Sequence, residues 1–268
     1  MASEPELVLK RGHDARPGQA MRISPRIRRV LADNPGPLTF TGTNTYIVGE
    51  GDVAVIDPGP DDPAHLKALL AAIGGARVRA ILVSHGHADH WPLAAALKAR
   101  TGGKILGMGD EAFAPERRIG EGARVAGAGW TLTALHTPGH KSDHLCFALE
   151  EENVLFSGDH VMGWATTVIM PPDGNMAAYY ASLRRLMAMT HARYWPAHGG
   201  PIDAPQTHCE ALLAHRRARE AAILKAVREG CRTPEEIVSC VYPGLAENLK
   251  PAAMMSVKAH LEHLGITL

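Results

Sequence analysis

Residues 80–90 run Ala-Ile-Leu-Val-Ser-His-Gly-His-Ala-Asp-His, an apolar strand that leads directly into His85, His87, Asp89 and His90. Four metal-capable side chains in so short a run exceed what a helix start needs, since capping takes one Asp or Ser. Neutral imidazole and carboxylate are the donors of zinc sites that keep a coordination position open for water. His85 and His87, two apart in an extended turn, can point the same way and share one ion. Asp89 and His90 fall at the turn into the next helix and can face a second ion about 3.5–4 Å away. Two ions need more ligands than this run supplies, so the fold must bring others to the end of the same strand.

The downstream chain offers them in repeated form. His140 closes His-Thr-Pro-Gly-His (136–140), where Pro138 and Gly139 make a tight turn after an apolar strand. Asp159 lies in Leu-Phe-Ser-Gly-Asp-His (155–160), and His198 in Tyr-Trp-Pro-Ala-His-Gly-Gly (194–200). Each follows a strand-like run, so four loops can converge on one rim.

Strand patterns occur at 44–49, 53–57, 79–84, 104–107, 130–136, 144–149 and 153–158, and helical ones at about 62–73, 90–101 and 176–190. This alternation predicts an α/β layered fold. After Pro205 the pattern turns helical, over 205–229, 234–241 and 251–264, with Thr233-Pro234-Glu235-Glu236 as a start signal. The expected division is a catalytic domain over 1–204 and a small helical domain over 205–268.

Composition excludes several function classes. Of 268 residues, 46% are apolar and 21% charged, with 28 basic against 28 acidic side chains, so no global field draws the chain to a polyanion or a membrane surface. Residues 1–34 are locally basic, with Lys10, Arg11, Arg16, Arg22, Arg26, Arg28 and Arg29 against Glu4, Glu6, Asp14 and Asp33, a surplus read as a solvated strand edge. Cys146, Cys209, Cys231 and Cys240 form no CxxC pair and read as reduced thiols. With no apolar run near 18 residues and no signal-peptide pattern, a cytoplasmic location is expected.

Asp57, His85-x-His87-x-Asp89-His90, His140, Asp159 and His198 together resemble the motif set of the metallo-β-lactamase superfamily, in order and in type, across the first 200 residues. The resemblance implies a four-layer αββα sandwich with the site at the edge between two sheets. It implies that His85, His87 and His140 hold a first zinc, Asp89, His90 and His198 a second, and that Asp159 bridges them. Asp57 would orient the histidine loop. An Asp at position 159 is similar to the glyoxalase II and RNase Z type of site and unlike the true β-lactamases. Residues 34–46 resemble the N-terminal signature of the lactamase-beta-2-like subfamily, and the C-terminal helices that subfamily's winged-helix-like domain. The chain departs from that pattern in stopping where a β-wing would begin.

The implied chemistry is hydrolysis by a hydroxide held between two Zn²⁺ ions by Asp159 and oriented by Asp89, the two residues assigned catalytic roles. Mn, Fe or Co are also compatible with such donors. The substrate is expected to be a small molecule carrying an ester, thioester, lactone or amide carbonyl; the alternative is single-stranded RNA, cleaved as by a known subfamily member. Candidate pocket residues are Asn44, Trp91, His160, Thr166 and Thr167. Trp91 either lines the pocket or packs beneath it, and His160 either donates to a leaving group or lies outside the ligand shell. His144 and Asp143 either contact the site or serve the turn. His136 is expected to be a buried strand histidine, and His13, His65, His191, His208, His215, His260 and His263 to lie on the surface. Over 209–268 eight Lys or Arg stand against seven Glu, so the C-terminal domain is expected to wall the cleft or form a homodimer contact rather than read nucleic acid.

Overall fold

The computed structural model describes residues 6–12 and 14–268. Its first sheet contains β1 (Ala20–Arg22), β2 (Ile27–Leu31), β3 (Asn44–Gly49), β4 (Asp52–Ile56), β5 (Arg77–Leu82), β6 (Lys104–Gly107) and β7 (Arg117–Arg118), side by side in that order. Neighbours from β1 to β4 are antiparallel and those from β4 to β7 parallel. The second sheet contains β8 (Arg124–Gly127), β9 (Trp130–His136), β10 (Leu145–Leu149), β11 (Val154–Gly158) and β12 (Arg193–Pro196), in the order β12-β11-β10-β9-β8. Only its β11–β12 pair is parallel.

The two-residue period of the strands sorts their side chains into layers. Tyr46 and Val48 of β3, Ala54 and Ile56 of β4, and Ala80 and Leu82 of β5 point inward and meet Leu132, Leu145, Phe147 and Phe156 of the second sheet. The intervening Ile47, Val53, Val55 and Ile81 point outward, against α1 (Pro63–Ile73) and α2 (Ala94–Thr101). Strands covered on both faces read as continuous apolar runs, which is why these are visible in the sequence. On the far side, α3 (Met176–Met187) and the first half of α4 (Pro205–Arg228) cover the second sheet through Tyr179, Leu183, Cys209 and Leu212. The layers are therefore helix, sheet, sheet, helix.

Trp130 stands at the start of β9, 1% exposed, with its indole Nε1 donating to the Asp52 carbonyl at 2.8 Å. It joins the two sheets far from the ligand-bearing loops.

The second half of α4 builds a separate apolar cluster with α5 (Pro234–Val241) and α6 (Lys250–His263), centred on Ile223, Ile237, Val257 and Leu261. Thr233 caps α5 in a capping box with Glu236, as its sequence predicts. Among the described residues no strand follows Pro196, and no helix is long and apolar enough to cross a membrane.

The structure departs from the sequence reading in several places. Strand β2 has no counterpart among the expected strands, because Arg28 and Arg29 interrupt its apolar pattern. Arg29 is 1% exposed and pairs with Asp14 at 2.7 Å, while half-buried Arg28 donates to the Ala72 and Gly49 carbonyls. Helix α2 begins at Ala94 rather than 90, since 90–93 form turns ahead of it. His136 is half-buried, its Nε2 donating to the Ser142 carbonyl. His65 and His260 are buried rather than on the surface, and His191, His208 and His215 are half-buried, whereas His263 is exposed as expected. His13 lies outside the described residues.

Burial holds the His65 pKa down at about 4, where its Nε2 meets the Thr45 hydroxyl at 2.9 Å. Burial likewise brings His260 to about 3. Both groups take up protons on unfolding near pH 6.5, so their contribution is complete above that value and is lost as pH falls toward 4. Thermal unfolding is expected to show a loss on the order of 1–3 kcal/mol per histidine across this window, and His260→Leu to make the decline shallower.

Replacing Trp130 by Ala is expected to destabilise the protein by about 3–5 kcal/mol, read by denaturant titration.

Candidate metal centre

The loops that follow β4, β5, β9, β11 and β12 meet along one rim of the sandwich. Backbone hydrogen bonds stitch the sheets together there, Leu145 N to the Ser84 carbonyl at 2.8 Å and Asn44 N to the Ala197 carbonyl at 2.7 Å. Two glycines make the ligand-bearing turns attainable. Gly158 has φ +52°, and a Cβ there would lie 2.5 Å from the His144 ring; Gly139 has φ +144° and would press into the Tyr179 backbone at 2.4 Å. Each directly precedes a candidate ligand, Asp159 or His140.

The seven candidate side chains come together in two groups, with the donor atoms of each within 4.8 Å of one another. In the first, His85 Nε2 and His140 Nε2 lie 2.9 and 3.0 Å from His87 Nδ1. In the second, His90 Nε2 and His198 Nε2 lie 3.4 and 3.2 Å from Asp89 Oδ2. Asp159 stands between them: its Oδ2 is 3.6 Å from both His140 Nε2 and His90 Nε2, and its Oδ1 is 3.3 Å from His198 Nε2.

The donor set fits divalent cations. Nitrogen and oxygen ligands of a tetrahedral ion stand about 3.3 Å apart, close to the separations found here. His90 Nε2, His198 Nε2 and Asp159 Oδ1 are buried and have no hydrogen-bond partner, a costly arrangement unless a cation faces them. The opposite ring nitrogens of His85, His90, His140 and His198 are engaged. His140 Nδ1 donates to the Val168 carbonyl at 2.6 Å and His198 Nδ1 to the Gly42 carbonyl at 3.1 Å. His90 Nδ1 lies 3.1 Å from Asp57 Oδ2, and His85 Nδ1 lies 2.9 Å from Ser84 Oγ. Such partners fix the tautomer and turn the Nε2 lone pairs inward.

Electrostatics divides the groups. Burial, reinforced by His140, holds His87 at about pKa 4, and burial holds His85 well below the usual imidazole value, so the first group is neutral and ready to donate. Burial opposes charge on His198 as well, but Asp159 and Asp89 outweigh it and raise the pKa to about 9; His90 is raised in the same way, with Asp89 the leading carboxylate. A cation entering the second group takes the place of those protons.

The candidate pocket residues sit elsewhere. Asn44 spends its amide on the Pro196 and Gly199 carbonyls, and the Thr167 hydroxyl donates to the Asp159 carbonyl. Trp91 packs against Phe113 and donates to the Gly86 carbonyl, beneath the histidine loop. His160 is buried against Tyr179, and Thr166 lines a separate cleft with Arg216 and Tyr242. The cleft of about 220 Å³ over the ligands is lined instead by Leu38, Met162, Val168 and Met170, facing His87, Asp89, His140 and Asp159.

Sequence reasoning passes over Ser84, which donates through N and Oγ to the two Asp57 oxygens at 2.7 and 2.8 Å. It also leaves His144 undecided. That ring accepts from Asp159 N at 3.1 Å and is anchored on its other side by the Thr137 hydroxyl at 2.9 Å, so it shapes the Asp159 turn. Ser84 carries no sequence signal beyond its place before His85.

Residues 38–198 match the family model described as Metallo-beta-lactamase superfamily, and 233–266 the model described as Beta-lactamase associated winged helix domain. The chain is 34% identical over 222 residues to the atrochrysone carboxyl ACP thioesterase of Cryptosporiopsis sp., a match spanning 78% of this chain and 65% of that one. It is 31% identical over 265 residues to the beta-lactamase-like protein 2 homolog of Caenorhabditis elegans, across 91% and 85% of the two chains. Among solved structures, a metallo-beta-lactamase family protein from Thermus thermophilus superposes with a TM-score of 0.77 at 26% identity, covering 91% of this chain and 94% of that one.

Ser84→Ala, which unties His85 and loosens Asp57, is expected to weaken metal binding about 10–100-fold in competition with a chromophoric chelator. Unchanged affinity would show that Asp57 positions the rings without it.

Proposed function

The chain belongs to the metallo-β-lactamase superfamily, and from that premise we propose that it is a binuclear zinc hydrolase of acyl esters and thioesters. The carrying observation is the pair of His/Asp groups sharing Asp159, set at the base of an otherwise apolar cleft. In this reading His85, His87 and His140 would hold one ion and Asp89, His90 and His198 the other, with Asp159 placed between the two groups. Bound divalent ions supply Lewis acidity and bring the pKa of water from 15.7 to about 7.

The protein's own groups supply the rest. Burial disfavours charge on Asp89, yet His90 and His198 keep its carboxyl well below the usual range. It stays ionised at the cleft, where it orients an attacking water by accepting its hydrogen. Asp159 is held in line by His144 behind its backbone and by Thr167 on its carbonyl. Leu38, Met162, Val168 and Met170 exclude bulk water from the acyl group. Hydrolysis then adds the water oxygen to the carbonyl carbon, breaks the carbon–oxygen or carbon–sulfur bond, and delivers the proton to the departing alcohol or thiol.

The similarity to a thioesterase supports an acyl substrate. So does the lining of the cleft, which carries no Lys or Arg to follow a phosphodiester backbone. Two arginines of α4 are spent internally rather than offered to a nucleic acid: Arg216 donates to the Ser256 hydroxyl and the Thr167 carbonyl, and Arg219 donates to the Val241 carbonyl. In the proposed division of labour, 1–204 carry the ligands and 205–268 wall the cleft. The free thiols of Cys146, Cys209, Cys231 and Cys240 accord with action in a reducing compartment.

The test is metal analysis together with a panel of thioester, lactone, β-lactam, phosphodiester and single-stranded RNA substrates. Acyl hydrolysis is expected to vanish on chelation, to return with Zn²⁺, and to fall by roughly a hundredfold or more in His87→Ala. Cleavage of RNA with no acyl turnover would overturn the reading.

A further inference from the structure

The cleft over the metal ligands borders a second cavity of about 580 Å³, which shares Leu38, Val168 and Met170 with it and is lined further on by Leu249, Ala252 and Met255 of the C-terminal helices. Nothing lining this cavity is charged. Its volume falls within the range of about 300–1,000 Å³ typical of small-molecule sites.

Its rim is unusual in exposure. Among the described residues six large apolar side chains are exposed, and three of them, Leu38 (54%), Leu249 (40%) and Met170 (36%), line this one cavity. Exposed apolar groups gathered in one place mark a binding surface, whereas scattered ones mark nothing.

The wall that presents Leu38 is also held firmly. The 36–40 turn is closed by reciprocal backbone hydrogen bonds between Gly36 and Phe40, the Thr39 hydroxyl donates to the Asn34 carbonyl, and Phe40 stacks on Trp164 at 4.9 Å. Leu38 is thereby held exposed at the cavity rim. On the other wall, the Val168 carbonyl accepts from His140, so the apolar lining is tied directly to the metal centre.

We propose that this cavity is the acyl subsite of the hydrolase, taking the long alkyl part of a thioester whose carbonyl sits at the His/Asp cluster. The inference rests on the acyl-hydrolase reading and adds to it a substrate class and a role for the C-terminal helices. Residues on α6 and the turn before it then set chain-length preference without touching the reacting atoms. The shared wall argues for the acyl part of the same molecule as occupant, since Leu38, Val168 and Met170 line both the cleft over the ligands and the cavity beside it. Burying each additional methylene favours binding, so affinity rises with acyl length until the cavity is full.

The experiment uses the metal-loaded full chain and acyl thioesters of N-acetylcysteamine from acetyl to dodecanoyl. The kcat/KM ratio of decanoyl to acetyl is expected to exceed ten in the wild type and to fall at least tenfold in Leu249→Asp and Met255→Glu. Leu249 is exposed, so its variant is expected to keep the wild-type unfolding midpoint. In parallel, a non-hydrolysable S-dodecyl thioether is expected to bind at least tenfold more tightly than its S-ethyl counterpart, and both variants to remove that difference.

A flat chain-length series, or variants that slow acetyl and decanoyl substrates equally, would overturn the subsite. No turnover of any acyl thioester by protein with bound metal would instead overturn the acyl-hydrolase reading. The thioether titration decides the cavity's apolar preference in either case.

Discussion

Asp57 is the joint on which the site depends. Its backbone takes φ +50° at the end of β4, a left-handed conformation that costs about 1–3 kcal/mol for a residue with a Cβ. The surroundings over-determine it: Asp57 N donates to the Leu82 carbonyl, and its carboxylate accepts from Ser84 N, Ser84 Oγ and His90 Nδ1. Those bonds tie the end of β4 to the end of β5. They fix His85 through the Ser84 hydroxyl and His90 directly, one ring from each ligand group. A single buried carboxylate thus sets the relative orientation of both halves of the centre.

What surrounds that joint explains its rigidity. The inner faces of the two sheets pack Tyr46, Phe147 and Phe156 behind the rim, and the Tyr46 hydroxyl donates to the Pro196 carbonyl just ahead of His198. Packing of that density does not yield to small shifts, so the donor atoms hold their convergence even where their charges repel. The cost of assembling seven buried polar side chains falls on the fold, and cations are what offset it. The apolar cavity beyond is built differently, from a hydrogen-bonded turn and the C-terminal helices, which leaves it open to variation without disturbing the ligands.

Several features are legible in the sequence because their signals are local. Strands β3, β4 and β5 declare themselves as apolar runs, and each candidate ligand follows such a run within a few residues. Other features have no local signal. Strand β2 hides behind Arg28 and Arg29, whose charges find partners only across the fold. His65 looks like any helix-face histidine until Thr45 arrives from a neighbouring strand. Asn44, Trp91, His160 and Thr167 are near the ligands in sequence or in space, yet backbone carbonyls and buried neighbours claim them, and the cleft is lined by Leu38, Met162, Val168 and Met170 instead. Ser84 is a hydroxyl among histidines, and its use becomes visible only with Asp57 beside it.

The amino-acid sequence by itself determined which atoms can bind metal and that they stand at strand ends, since both follow from residue type and short-range periodicity. It also determined the helical character of the last 60 or so residues, through capping and spacing. The tertiary structure decided how the donors divide into two groups about Asp159, which residues aim them, and where the apolar wall runs. These depend on contacts such as Asp57 with Ser84, Asn44 with the strand before His198, and Leu38 with the cavity that reaches Met255. Separations of tens to hundreds of residues lie between those partners, and no periodicity reports them; only the registry of two packed sheets brings them together.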